Sequence, residues 1–564
     1  MKNLAKTVLL SAILLIVPVL LFAQEMKREE TLFTGGALWS TPSNWNPLLP
    51  DNAVQGTVGL VYDPLFYYNP VTAGDLLPNL ADSGKWINAS TFQIKIKKGI
   101  KWNDGQDFTV DDVVFTFVYE KDKPGLKYNV LWNDLKDVAK IDDSTVNIVF
   151  KNPTYQQLKF NLYNIPMVPK HIWATVSEKD AIASANKNPV GTGPYKHELA
   201  LEDRDIFVRD DNWWGKSVYG KLPAPKRVVV LKGFSNNTAL GMIMKGELDV
   251  SNFFLFGIPA LRTNYNLKTF YANPPYNFPW NTAIIFLNTK KAPLNDPKFR
   301  RALAFAMDSK TLAERVYEKM VGPCDATGLH PSWADWVDKG VMGRVGFKYD
   351  PAMANKLLDQ AGYKDVNRDK FREDPKGNKI ALGIEVPFGW TDWMESIKII
   401  AENCRAVGIN LEARFPDYGK YQDDMTKGTF DLILNNWGSG VSSTPYTYWN
   451  WVASKDIKSD TIWNGNWGRY DNQKLFDLIG QFDKINPATG MSQLKKVASQ
   501  IEEILLTDMP SIPLWFNGAW FAGAQDYWTG YPDENNKLGV PLTWNGAWQM
   551  GGVAMLLNIQ PPKK

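Results

Sequence analysis

The sequence predicts an α/β protein built as two or more lobes, and three observations carry that reading. A chain of 564 residues is too long to bury its apolar surface around one ordinary core. Short β-rich runs alternate with amphipathic helical patterns along its length. No repeat of solenoid or propeller period and no low-complexity tract interrupts that alternation.

The elements follow in order. FQIKIKKGIKW, from Phe92 to Trp102, alternates apolar and polar residues as a half-buried strand does. VDDVVFTFVYEK then predicts a helix, with Thr109 as its cap and Asp111 and Asp112 in the first turn, where carboxylates favour the dipole. RVVVLKGF (from Arg227) and TAIIFLNT (from Thr282) read as continuous buried strands. DPKFRRALAFAMDSKTLAERVY, from Asp296 to Tyr317, predicts one long helix in which Ala302 and Ala306, one turn apart, allow close packing. KIALGIEV reads as a strand, MESIKIIAENCRAVGI as a helix ended by Gly408, and FDLILNNW as a strand running into a polar loop. SQLKKVASQIEEILLTD predicts a helix that stops at Pro510 before a final strand.

At the amino terminus, MKNLAK precedes the apolar run TVLLSAILLIVPVLLFA, which ends at the small residue Ala23. A short basic stretch followed by an apolar run of this length predicts an export signal over residues 1–23, and Pro18 disfavours a stable membrane span. No cysteine follows the run to accept a lipid, so the mature chain is expected to be soluble, periplasmic and to begin near Gln24. With Lys2 and Lys6 removed it carries 61 basic against 60 acidic residues and no long basic run, which argues against nucleic acid as a partner. Cys324 and Cys404 lie far apart without metal-ligand spacing; two buried thiols are expected, with a disulfide as the alternative. His171, His197 and His330 form no i, i+4 pair, and neither a nucleophile elbow nor a phosphate loop occurs, so no metal, cofactor or catalytic residue is expected.

Tryptophan is the compositional signal. The chain has 23, many beside Asn, Gly, Ser or Thr, as in ALWSTPSNWNP, FPWNT, PFGWTDWM, NNWGSGVSSTPYTYWNW and WNGAW. About half belong to structure, since Trp is highly buried on average. The remainder suit a sugar ring, whose apolar C–H faces match an indole and whose hydroxyl rim matches Asn. A pyranose stacked on an indole removes about 100 Å² of apolar surface from water, on the order of 2.5 kcal/mol before ordering costs.

LPNLADSGKWINASTFQIKIKKGIKWNDGQDFTVDDVVFTF resembles the signature region of the family 5 solute-binding proteins of ABC transporters, the dipeptide and oligopeptide group. GTGPYK (Gly191 to Lys196), LNTKKAPLNDPKFRRALAFAMD, YDPAMANKLLDQAGY and MPSIPLW are similar to further blocks of that family, in order, across nearly the whole mature chain. The resemblance implies a two-lobed α/β periplasmic binding protein of the class C type, with a hinged cleft between lobes and an extra subdomain in the first. It places the first lobe at residues 24–285, with the subdomain at about 66–188, the second lobe at 286–521, and a return to the first at 522–564.

Peptide binders of the family typically carry an Asp in a loop resembling W-x-x-D-Y-x-x-P, where it pairs with the peptide ammonium. The matching stretch here places Gly440 at that position, and no acidic residue occurs from Asn435 to Val452. A buried ammonium without a counter-charge costs several kcal/mol, so a free peptide amino terminus is poorly served. The expected binding residues are Trp39, Asn44, Trp45 and Asn46 in the first lobe, and Trp280 with Asn281 at the crossing. In the second lobe they are Trp390, Asp392, Trp393, Trp437, Gly438, Ser439, Tyr446, Trp449 and Asn450, then Trp515 and Asn517 near the return. Trp102, Trp213 and Trp214 are assigned to the scaffold.

The expected function is capture of a β-linked oligosaccharide, of the cello-, laminari- or manno- type, by a monomer that closes and delivers it to the permease subunits of an ABC importer. The rivals are an oligopeptide or dipeptide binder of the same fold, a nickel-complex binder and, further off, a glycan-cleaving enzyme.

Overall fold

A computed structural model of the chain describes residues 27–36, 44–49, 53–72, 75–156, 162, 164–438, 441–455, 457–463, 465–544 and 546–563. The export signal expected at residues 1–23 lies outside them.

Two large sheets organise the molecule. The first has seven strands in the order Leu267–Lys268, Ala522–Ala524, Val250–Ser251, Thr31–Gly35, Arg227–Leu231, Arg204–Arg209, Tyr195–Ala200. Thr31–Gly35 runs parallel to both of its neighbours. The second sheet has six, in the order Gly322–Pro323, Ser511–Ala519, Phe278–Leu287, Leu432–Asn436, Leu382–Glu385, Leu411–Arg414. A separate four-stranded antiparallel sheet (Ala81–Asn88, Thr91–Ile96, Thr145–Phe150, Leu135–Asp142) stands beside the first. The alternation of FQIKI is realised there, with Phe92, Ile94 and Ile96 buried on one face.

The helices start where the chain supplies caps. Thr109 accepts from the backbone of the helix Val110–Tyr119, and the Asp112 carboxylate accepts from the Thr109 backbone N–H at 2.8 Å, closing a capping box. Thr391–Ala406 ends before Gly408, whose φ of 81° is the left-handed conformation that glycine adopts without strain. Pro487–Asp508 begins earlier than its apolar pattern indicates, at an Asn486 cap with Pro at its first position, and turns into the last long strand just before Pro510. The long helix expected over Asp296 to Tyr317 is two pieces. Pro297–Ala306 stops at Met307, which is extended, because the Asp308 carboxylate accepts from the Thr311 N–H at 3.1 Å and starts a new turn.

The chain passes between the two large sheets twice, at 269–277 and at 520–521. The lobe boundary expected at 285/286 falls inside the strand Phe278–Leu287, and the return expected at 521/522 falls at the second crossing. One apolar cluster runs through both lobes, joining Val229, Leu248 and Phe254 of the first to Ile285, Ile384 and Ile512 of the second. The two lobes are therefore in contact through apolar side chains. Cys324 and Cys404 are both free thiols, the latter buried in that cluster.

The GTGPYK segment shows why it must be small. A Cβ on Gly191 would lie 1.9 Å from the Val61 carbonyl oxygen, and one on Gly193 2.3 Å from that of Leu60. Gly191→Ala is expected to destabilise the first lobe by about 1–3 kcal/mol through this overpacking; an unchanged thermal unfolding midpoint would contradict the close approach.

Candidate functional site

One end of the second sheet gathers the site. The strands Leu382–Glu385, Leu432–Asn436 and Ser511–Ala519 end there, and Phe278–Leu287 begins there, because it runs antiparallel to both of its neighbours. Asn281 and Asn517 are register partners across the antiparallel pair, and Ala283 pairs with both Asn436 and Trp515. The Asn281 amide Nδ2 donates to the Trp437 carbonyl at 3.0 Å. These contacts bring the backbones of Asn281, Trp437, Trp515 and Asn517 to one strand end, where the Trp437 ring packs against Trp333 and Tyr448 and the Trp515 ring against Tyr317.

Four atoms of this group have no protein partner although their residues are buried: Asn281 Oδ1, Asn517 Oδ1, Trp437 Nε1 and Trp515 Nε1. A buried polar atom left unpaired costs about 1–3 kcal/mol, so these four are candidates for contact with water or a ligand. The set holds two acceptors and two donors and no charge.

Cross-lobe hydrogen bonds frame this end. On one side Asn236, at the start of the first-lobe helix Asn236–Met244, donates from Nδ2 to Asp392 Oδ1 at 3.1 Å and to Thr391 Oγ1 at 3.2 Å. Burial pushes the Asp392 carboxyl up to about 6, against the opposing pull of the backbone N–H groups at the head of its own helix, Asn236 and the Tyr317 hydroxyl. On the other side Thr444 donates to Gln156 Oε1 at 2.8 Å, and Asp483 accepts from Thr154 Oγ1 at 2.8 Å and from the Gln156 N–H at 2.9 Å. Tyr68 donates its hydroxyl to the Val441 carbonyl.

The other residues expected from sequence are placed variously. Trp39 and Ser439 lie outside the described residues. Trp45 is buried in the first lobe, its ring 3.7 Å from that of His197 and 5.2 Å from that of Phe207. Asn44 accepts from the Asn46 N–H, and Asn46 spends its amide on the Ala181 and Ser184 carbonyls and the Leu48 N–H. These three serve local packing rather than the strand-end group. Trp280 meets Trp544 edge-on at 6.1 Å. Trp390 stands edge-on to Trp393 at 5.0 Å, beside Tyr418 and Tyr421, and Trp393 is buried in the apolar cluster. Gly438 leaves room for Trp451, which a Cβ would meet at 2.4 Å. Trp449 packs against Phe482 at 5.3 Å, Tyr446 is buried, and Asn450 is exposed. Sequence reasoning missed Gln156, Asn236 and Tyr317. Asn236 lies within a Ser-Asn-Asn run that reads as a helix cap, which Ser235 supplies, and Gln156 carries no pattern at all.

Among the described residues no group of three His, Cys, Asp or Glu could hold a metal ion, and no helix is long and apolar enough to cross a membrane. His330 is buried, which lowers its pKa to about 4, and both ring nitrogens are engaged, with the Pro279 carbonyl and the Ser332 N–H.

The chain matches the family model of bacterial extracellular solute-binding proteins, family 5 (middle), over residues 75–459. It is 24% identical to the oligopeptide-binding protein AppA of Bacillus subtilis, with 78% of each chain covered. It is 25% identical to the nickel-binding periplasmic protein of Escherichia coli, covering 78% of this chain and 82% of that one. Among solved structures, a periplasmic oligopeptide-binding protein of an oligopeptide ABC transporter from Thermotoga maritima superposes with a TM-score of 0.91 at 47% identity, over 95% of this chain and 100% of that one. A mannohexaose-bound structure described in the same terms gives 0.90 at 46% identity, with the same coverage. The chain belongs to the bacterial extracellular family 5 solute-binding proteins: it is a substrate-binding component of an ABC transporter and not an enzyme.

Burial raises the Asp392 carboxyl, and a conformation in which the lobes part and water reaches it is expected to bind that proton less tightly. Ligand affinity is expected to fall as pH rises from about 4 through about 6, and Asp392→Asn to flatten that slope; calorimetry across this range checks it, and an identical slope in the variant would contradict it.

Proposed function

We propose that this family 5 solute-binding protein captures a short β-linked oligosaccharide of the cello-, laminari- or manno- type and closes around it for delivery to the permease. One observation carries the reading: the unpaired, buried and neutral group of Asn281, Trp437, Trp515 and Asn517 at the strand ends. Sugar hydroxyls both donate and accept, so one ligand satisfies amide oxygens and indole N–H groups together. A peptide ammonium would gain two acceptors and meet no counter-charge, at a cost of several kcal/mol. Support also comes from the relative at 46% identity, which holds mannohexaose.

The first-lobe residues Asn44, Trp45 and Asn46 are proposed as support for the cleft wall, whereas Trp437 and Trp515 meet the sugar through their N–H edges. Trp280, Trp390 and Trp393 supply apolar surface beside them. Residues 1–23 direct export, and the mature protein acts as a periplasmic monomer. Binding shifts an open–closed equilibrium by as much as the ligand prefers the closed form, which the permease then recognises.

The peptide reading retains one specific support, the oligopeptide-binding name of AppA and of the Thermotoga maritima protein. Calorimetry of the purified protein against cello-, laminari- and manno-oligosaccharides, a panel of peptides and a nickel complex separates the readings. Heat from a sugar series and none from peptides is expected, and the reverse would overturn the proposal. Asn517→Leu should weaken the best sugar about tenfold or more; unchanged affinity would remove Asn517 from the site.

A further inference from the structure

We propose that Gln156 is a specificity-determining donor, brought to the ligand by lobe closure and aimed there by the second lobe. The assignment rests on the oligosaccharide reading and adds to it the residue through which closing senses a sugar oxygen.

Gln156 follows the four-stranded sheet, in the segment Thr154, Tyr155 and Gln156, all three of which are buried. Its backbone N–H and the Thr154 hydroxyl bind the two oxygens of Asp483, the last residue of the second-lobe helix Gln473–Asp483. The carboxamide is oriented separately. Thr444 donates its hydroxyl to Gln156 Oε1 at 2.8 Å, and Thr444 is itself held where it stands, because Ser442 Oγ donates to its carbonyl at 2.6 Å and Trp333 Nε1 donates to the Ser442 carbonyl at 2.6 Å. Oε1 is thus occupied, while Nε2 is buried without a partner among the described residues.

The consequence is chemical. Two cross-lobe contacts fix the backbone and one end of the amide, and the end left over can only donate. An unpaired buried N–H₂ is satisfied by a hydroxyl or ring oxygen and is opposed by an ammonium, which offers nothing but donors. Thr444 lies between the strand Leu432–Asn436 and the helix Tyr446–Val452, and no acidic residue occurs from Asn435 to Val452. The chain therefore meets its ligand on this side with a neutral donor that arrives only on closing, which selects oxygen-rich ligands over amine-bearing ones.

Gln156→Glu and Gln156→Met test the assignment. Both keep the backbone N–H that Asp483 accepts, so the seam between the lobes is retained, and thermal unfolding of each ligand-free variant reports that it folds. In calorimetry with mannohexaose at neutral pH, both variants are expected to bind about tenfold more weakly than the wild type. On acidification the Glu variant regains an O–H donor as its carboxyl protonates and recovers affinity relative to the Met variant, a response that a merely structural position would not give. Binding within twofold of wild type by both variants overturns the role of Gln156 and leaves the sugar reading standing. Absence of sugar binding by the wild type overturns the sugar reading and the assignment with it.

Discussion

A polar atom taken out of water must find a partner, and at one end of the second-lobe sheet several do not find theirs within the protein. Asn281 and Asn517 are partners across an antiparallel pair with their amide oxygens unpaired, and the indole N–H groups of Trp437 and Trp515 are likewise buried without a partner among the described residues. Each would cost about 1–3 kcal/mol if it stayed so. On the proposed reading, a ligand that supplies both donors and acceptors there favours the closed arrangement, and opening lets water satisfy the same atoms.

The cross-lobe hydrogen bonds contribute the remainder of the balance. Asn236 with Asp392 on one flank, and Gln156 with Thr444 and Asp483 on the other, are formed between groups that water would serve nearly as well in the open form. They set the geometry of the closed form more than its depth. Burial of the ionised Asp392 carboxylate is unfavourable at neutral pH, a cost carried by the flank that it occupies.

Much of the architecture was legible in the sequence because it is local. Caps, apolar periodicity and the Gly-rich blocks placed the strands and helices, and the two-lobed fold followed from the family resemblance. The break after Ala306 was not legible, since the apolar pattern runs through it while the Asp308 side chain ends the helix. The site was harder for the same reason in reverse: it is made by register and by lobe contact. Trp45 sits in a polar stretch that reads as an exposed platform, yet His197 and Phe207, distant in sequence, pack it into the first lobe. Asn281 and Asn517 were visible as Asn beside aromatic residues, but their pairing appears only in the register. Gln156 acquires meaning solely through Thr444 and Asp483, from the opposite lobe.

A crystal structure of the protein grown with mannohexaose is expected to show sugar oxygens within about 3.2 Å of Trp437 Nε1 and Trp515 Nε1, with sugar hydroxyls donating to the Oδ1 atoms of Asn281 and Asn517. Sugar bound elsewhere, with those four atoms meeting only water or remaining unpaired, would contradict it.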